Sequence, residues 1–322
     1  MSKGIAANRK SIGEVAVFEK QMFNKAQMMI EEQKPNNSTE TAILPMQCCV
    51  QYGLELNKIY NESNLDTMKK RMPDNFVDLT VTSPPYDNLR DYNGYSFPFE
   101  EIAKELYRVT KEGGVLVWVV GDAVIDGGES GTSFRQALYF QQIGFLIHDT
   151  MIYEKNGAAY PANEKSNRYS QVFEYMFILS KGKPKTYNLL KDKPNRWAGS
   201  GTFGTNSERQ KDGTIKERGS FIVPDFSYRN NIWKINNGYG YSSEDDIAHK
   251  HPAIFPEQLA QDHIWTWSNE GDIVYDCFGG SGTTAKMAHK LKRNWILSEI
   301  SSEYVQIAKK RIAPYLAQTS LF

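Results

Sequence analysis

"DIVYDCFGGSGTTAKMAHKL", residues 272–291, passes from a short β-rich run through a glycine turn into a helical run. It contains G-x-G-x-x-A at Gly280, Gly282 and Ala285. Glycines there would let backbone approach a ligand, and a helix N-terminus favours anionic or polar groups. Seventeen residues beyond Gly282, at the end of the strand candidate "NWILSEI", stands Glu299. A carboxylate so placed suits the two hydroxyls of an adenosine ribose. An NAD-dependent oxidoreductase would share this pattern.

Working outward, forty residues follow Gly282, too few for a complete dinucleotide fold downstream. The remaining strands must come from earlier in the chain, so the predicted fold is circularly permuted. From about Leu56 the pattern alternates. "FVDLTV" and "VLVWVVGD" read as buried strands, "FEEIAKELYRVTKEGG" as a helix closed by glycine, and "FLIHDTMIYEK" and "VFEYMFILSKG" as further strands. Near-continuous apolar strands joined by helices predict a doubly wound, mostly parallel α/β sheet of Rossmann-like type.

Residues 183–245 break that rhythm. From Lys181 to Lys234 there are twelve Lys/Arg against five Asp/Glu, with Tyr187, Trp197, Phe203, Phe221, Phe226, Tyr228 and Trp233 interleaved. A basic, aromatic-studded insert suits a nucleic-acid surface. The expected organisation is an N-terminal helical extension (1–45), two halves of one α/β domain (46–182 and 246–322), and the insert (183–245) between them.

Bulk properties are those of an ordinary globular protein: 322 residues, 40% hydrophobic, 24% charged and zero formal net charge. Global charge therefore gives no argument for nucleic acid; only local patches do. Cys48, Cys49 and Cys277 have neither disulfide-framework nor zinc spacing. No signal core or run of about 18 apolar residues is evident, so a soluble, cytoplasmic location without membrane contact is expected.

A second motif sits upstream. In "TVTSPPYDNLRDY", residues 80–92, two prolines end a strand and stiffen the turn after it. "DCFGGSGTT" together with "TSPPY" resembles the amino-methyltransferases that modify DNA bases with S-adenosylmethionine, whose motifs read D-P-F-x-G-S-G-T-T and [DSN]-P-P-[YF]. The catalytic motif comes first here and the insert lies between the two, an order similar to the permuted β group, where the insert recognises the target. The resemblance covers about residues 54–315, and "HPAIFP" matches the helix start before the cofactor strand.

The resemblance implies roles for individual residues. Ser83 and the Pro84 carbonyl, in a turn stiffened by Pro85, would draw on the two hydrogens of an exocyclic amine, and Tyr86 would stack on the extruded base. Asp276, Phe278, Gly280, Ser281, Gly282, Thr283 and Glu299 would hold S-adenosylmethionine, with His251 beside its methionine end. Ser63 stands where an aspartate often holds the adenine amine, with Asn64 as a substitute, and Cys277 replaces the usual proline. No metal is implied.

In the family it resembles, serine heading the catalytic motif mostly accompanies cytosine N4 and aspartate mostly adenine N6, so the resemblance implies cytosine-N4 methylation, with adenine-N6 as the alternative. An RNA or protein amine methyltransferase stays open behind these. Double-stranded DNA is the expected partner, with Arg90, Arg168, Arg196, Arg209, Arg218 and Arg229 as contacts to bases or phosphates. A cognate restriction endonuclease is an open partner, and so is the oligomeric state. For Asp122, at the end of "VLVWVVGD", a structural and a substrate role both stay open.

Overall fold

The computed structural model describes residues 53–85, 97–158, 161–201, 206–218, 222–251 and 253–317. The expected helical extension, Tyr86 and Arg90 lie outside them. The chain divides into two compact units, bounded at Arg196 and Phe226.

The larger unit carries one eight-stranded sheet. Its strands are β1 (Lys58–Tyr60), β2 (Val77–Thr82), β3 (Thr110–Val120), β4 (Leu146–Glu154), β5 (Phe173–Ser180), β6 (Ile232–Lys234), β7 (Ile273–Asp276) and β8 (Asn294–Ser298). Its helices are α1 (Asn64–Arg71), α2 (Phe99–Val109), α3 (Thr132–Gln142), α4 (Glu257–Trp267), α5 (Thr283–Lys290) and α6 (Ser302–Ala317). The spatial order is β1-β8-β7-β2-β3-β5-β4-β6. β1, β8, β7, β2 and β3 run parallel, and β5 is antiparallel to both β3 and β4. The two central strands β7 and β2 come from opposite ends of the sequence, as the permuted reading predicts. This is a Rossmann-like, mostly parallel sheet.

Burial explains the apolar runs. β2, β3 and β7 are covered on both faces; Leu79, Val81, Leu116, Trp118, Val274 and Tyr275 are inaccessible to solvent. Phe99, Trp118, Phe140 and Phe145 pack edge to face, with Phe99–Phe140 centroids at 5.3 Å and Trp118–Phe140 at 5.1 Å. Local signals place the helices. Ser63 caps α1 by accepting from Asp66 N–H at 3.1 Å, and Lys69, Lys70 and Arg71 fill its last turn. α3 starts after Gly131, which has no side chain to cap it. Asp122, just beyond the end of β3, supplies the cap by accepting from Ser133 N–H at 2.9 Å.

Because β1, β2, β3, β7 and β8 are parallel, their carboxyl ends share one edge, where ligands bind in open α/β sheets. Ser63, Ser83, Asp122, Asp276 and Glu299 all stand at or just beyond strand ends on that edge.

The second unit, within 196–226, contains an antiparallel ribbon of Asn206–Arg209 and Ile215–Arg218, with Arg209 opposite Ile215 and Glu208 opposite Lys216. Asp212 Oδ1 closes its tip by accepting from Thr214 N–H at 3.0 Å and Thr214 Oγ1 at 2.7 Å. This unit is narrower than the expected 183–245. Asn188 N–H donates to Thr266 O at 2.7 Å, and β6 pairs in parallel with β4, so both flanks of the insert belong to the larger unit. Among the described residues, no helix is long and apolar enough to cross a membrane.

Candidate cofactor and catalytic site

The two motifs meet at the tips of neighbouring strands. Thr82, the last residue of β2, is buried and donates Oγ1 to Asp276 Oδ1 at 2.7 Å. The same oxygen accepts Phe278 N–H at 3.0 Å. Burial raises the Asp276 pKa, against hydrogen bonds from Thr82, Thr284 and Phe278 that favour the anion. Asp276 is therefore a tie between the strand tips. Directly beyond Thr82, Pro84 is buried and Ser83 and Pro85 are half-buried. Phe278 is half-buried, its ring edge-on to Phe97 at 5.6 Å and Trp118 at 6.2 Å.

The glycine turn is packed too closely for side chains. A Cβ on Gly279 would stand 2.3 Å from Leu297, and one on Gly280 3.0 Å from His251 Nε2. His251 is buried against the turn, its ring edge-on to Tyr304 at 4.3 Å, while Nδ1 accepts Ala253 N–H at 3.1 Å. Glu299 Oε2 accepts Gly280 N–H and Oε1 accepts Ser301 N–H, both at 2.8 Å. The Ile300 N–H also favours the anion, so backbone donors set the position of the carboxylate. Burial pushes the Glu299 pKa up.

Three of the candidate hydroxyls have protein partners. Ser63 Oγ is occupied in the α1 cap, also donating to Asp66 Oδ2 at 2.9 Å. Asn64 instead reaches the turn, donating Nδ2 to Cys277 O at 3.1 Å. The hydroxyls of Ser281 and Thr283, expected on the cofactor, accept from Arg311 Nη1 at 2.9 and 3.0 Å. They brace the turn from behind.

That arginine belongs to a buried group that the sequence reading missed. Arg311 and Lys286 side chains are both 0% exposed, and both bond Asp245 and Glu257. Burying each charge costs several kcal/mol, compensated here by mutual pairing; removing one partner of such a set typically costs about 3–5 kcal/mol. Burial alone would raise the carboxyl pKa of Asp245 and Glu257, but bonds to Lys286 and Arg311 outweigh it and hold both low.

The candidate DNA arginines separate. Arg196 and Arg209 are exposed in the second unit, Arg196 lying over the Trp197 ring at 5.3 Å. Arg218 lies on the second ribbon strand. Arg168 is exposed and donates to Gly127 O. Arg229 is corrected: its guanidinium bonds Asp192 and, at 2.6 Å, Asp262, and lies over Trp233 at 4.9 Å. A side chain so committed anchors the flank of the insert.

The ligand edge of this parallel sheet thus brings together the Ser-Pro-Pro turn, the glycine turn and a half-buried carboxylate, the arrangement of a nucleotide-type site at strand ends. The family model described as DNA methylase matches residues 77–310, and the chain belongs to this family of N6/N4 DNA amino-methyltransferases. A Bacillus amyloliquefaciens protein, Orphan methyltransferase M.BamHII, is 58% identical over 250 residues, 77% of this chain and 93% of its own length. Among solved structures, PvuII DNA methyltransferase (cytosine-N4-specific) aligns at 20% identity and TM-score 0.57, over 81% of this chain and 91% of that one. A Thermus thermophilus DNA modification methylase solved with S-adenosyl-L-methionine aligns at 24% identity and TM-score 0.55, over 82% and 96%.

Proposed function

We propose that this DNA methyltransferase acts on the N4 amine of a cytosine extruded from duplex DNA. S-adenosylmethionine, the cofactor of its family, supplies an electrophilic methyl group. The observation that carries the proposal is Ser83, not aspartate, heading the Pro-Pro turn on a strand tip tied by Thr82 to the cofactor strand. The exocyclic amine of cytosine is a poor nucleophile because its lone pair is delocalised into the ring. Ser83 Oγ and the Pro84 carbonyl accept its two hydrogens and favour a pyramidal nitrogen. The prolines preorganise those acceptors, which lowers the barrier without reorganisation during reaction. Tyr86 stacks on the base and offsets part of the few kcal/mol that flipping costs.

On the cofactor side, Glu299 takes the ribose hydroxyls beside the glycine turn, whose close packing on Leu297 and His251 fixes its backbone. Asp276, Ser281, Thr283 and Arg311 hold that surface in place. In the second unit, the exposed Arg196 and Arg209 contact DNA, and site-specific methylation would protect against an endonuclease that reads the same sequence.

The test is methyl transfer to unmethylated plasmid DNA, followed by nucleoside digestion and mass spectrometry. N4-methylcytosine is expected; N6-methyladenine would keep the mechanism and overturn the base. Ser83→Ala should lower kcat at least a hundredfold with cofactor affinity within about twofold, and unchanged turnover would remove Ser83 from the chemistry.

A further inference from the structure

The glycine turn is gripped by α6, a helix with a run of three cations. α6 contains "AKKRI", three successive cations, yet Arg311 is fully buried. Its face carries Ala308, Arg311 and Ile312. A Cβ on Gly282 would stand 2.9 Å from Ala308 Cβ and 3.2 Å from Ile312 Cδ1, so the helix lies directly on the turn.

The guanidinium is a fork with two ends. Nη1 donates to Ser281 O at 2.8 Å and to the Ser281 and Thr283 hydroxyls at 2.9 and 3.0 Å. Nη2 donates to Glu257 Oε1 at 2.6 Å and Ser243 Oγ at 3.1 Å, and Nε to Asp245 Oδ2 at 3.0 Å. One end orients the turn and the other is locked by carboxylates from two further segments. Lys286, on the helix that the turn opens, bonds the same carboxylates at 2.7 and 2.8 Å.

A helix needs no buried arginine to pack, since apolar residues of similar volume do so without a desolvation cost. What a planar, five-donor group supplies is a rigid bridge from the turn, held by Nη1, to Asp245 and Glu257, held by Nε and Nη2. We propose that Arg311 is a positioning residue for the cofactor. It presets residues 281–283 in the binding geometry before S-adenosylmethionine arrives, so that binding carries little ordering cost. The inference rests on the cofactor and is independent of which base is methylated.

Two variants test it. Arg311→Lys keeps the charge but gives up the fork. Asp245→Asn loosens the outer end, where the carboxylate meets Lys286 and Arg311. In Arg311→Lys, calorimetry should show at least a tenfold loss of S-adenosylhomocysteine affinity. The KM for S-adenosylmethionine should rise in proportion, with kcat within threefold. Asp245→Asn should lose three- to tenfold. Amide hydrogen exchange at 281–284, measured on cofactor-free protein, should quicken in both. Should Arg311→Lys fail to fold, Asp245→Asn decides. S-adenosylhomocysteine affinity within twofold of wild type in the folded variants, or a fall in kcat at unchanged KM, would overturn the proposal.

Discussion

Glu299 joins a legible sequence position to a titration. Its place at a strand end, seventeen residues past Gly282, carries the proposal of a ribose ligand, and the structure sets it at Gly280 N–H. Burial raises its pKa above the ordinary 4.5. The ionised form is the one that accepts hydroxyl hydrogens, so cofactor affinity should fall as pH drops through that raised value, beginning above 4.5. Glu299→Gln should flatten this dependence and weaken binding about tenfold at neutral pH, the size of one charge-assisted hydrogen bond. Calorimetric titrations across pH check both. The neighbouring hydroxyls were not legible in this way. Motif position puts Ser281 and Thr283 in the turn, but the direction of a hydroxyl is settled by Arg311, thirty and twenty-eight residues away.

At the scale of elements, periodicity located the strands because those flanking the site are buried on both faces and therefore continuously apolar. It also finds α6 as a helix but not the burial within it, where three adjacent cations disguise a buried one; only the contact with Gly282 shows which of them turns inward. That contact yields a prediction. Gly282 has φ of +81°, and any Cβ meets α6. Gly282→Ala should therefore lower unfolding free energy by about 1–3 kcal/mol from strain and overlap together. It should also shift α6, seen as a lower denaturation midpoint and weaker cofactor binding. Retained stability and affinity would mean that the turn tolerates displacement.

For the whole molecule, composition marks a basic insert over 183–245, within which the compact unit spans 196–226. A Gly-, Asn- and Lys-rich sequence looks irregular whether it is free or tied down. Asn188 and β6 are held in the larger unit through contacts about 80 residues distant in sequence, which no local pattern carries. The same holds for Arg229, which looks like its exposed counterparts until Asp192 and Asp262 are seen beside it. Arg209, exposed on the ribbon, keeps its proposed place on DNA. Arg209→Ala should weaken DNA binding and, if the contact is to phosphate, reduce the slope of log K against log salt by about 1. A loss confined to one base position would instead indicate base reading, and titrations on target and scrambled duplexes separate the two.

The hydrogen bond from Thr82 to Asp276 spans 194 residues. Such a separation makes the centre of this sheet a late event in folding. β7 and β8 are the last strands along the chain, yet β7 lies between β8 and β2, and β1 borders β8. Before residues 273–298 are available, β2 presents an open apolar edge and β1 has no neighbour there. Closing so long a loop adds entropy only logarithmically, but high contact order slows pairing and prolongs exposure of unpaired edges. The strand that carries the cofactor turn is also the one that seals the sheet, so a molecule able to hold its cofactor is one whose sheet has already closed.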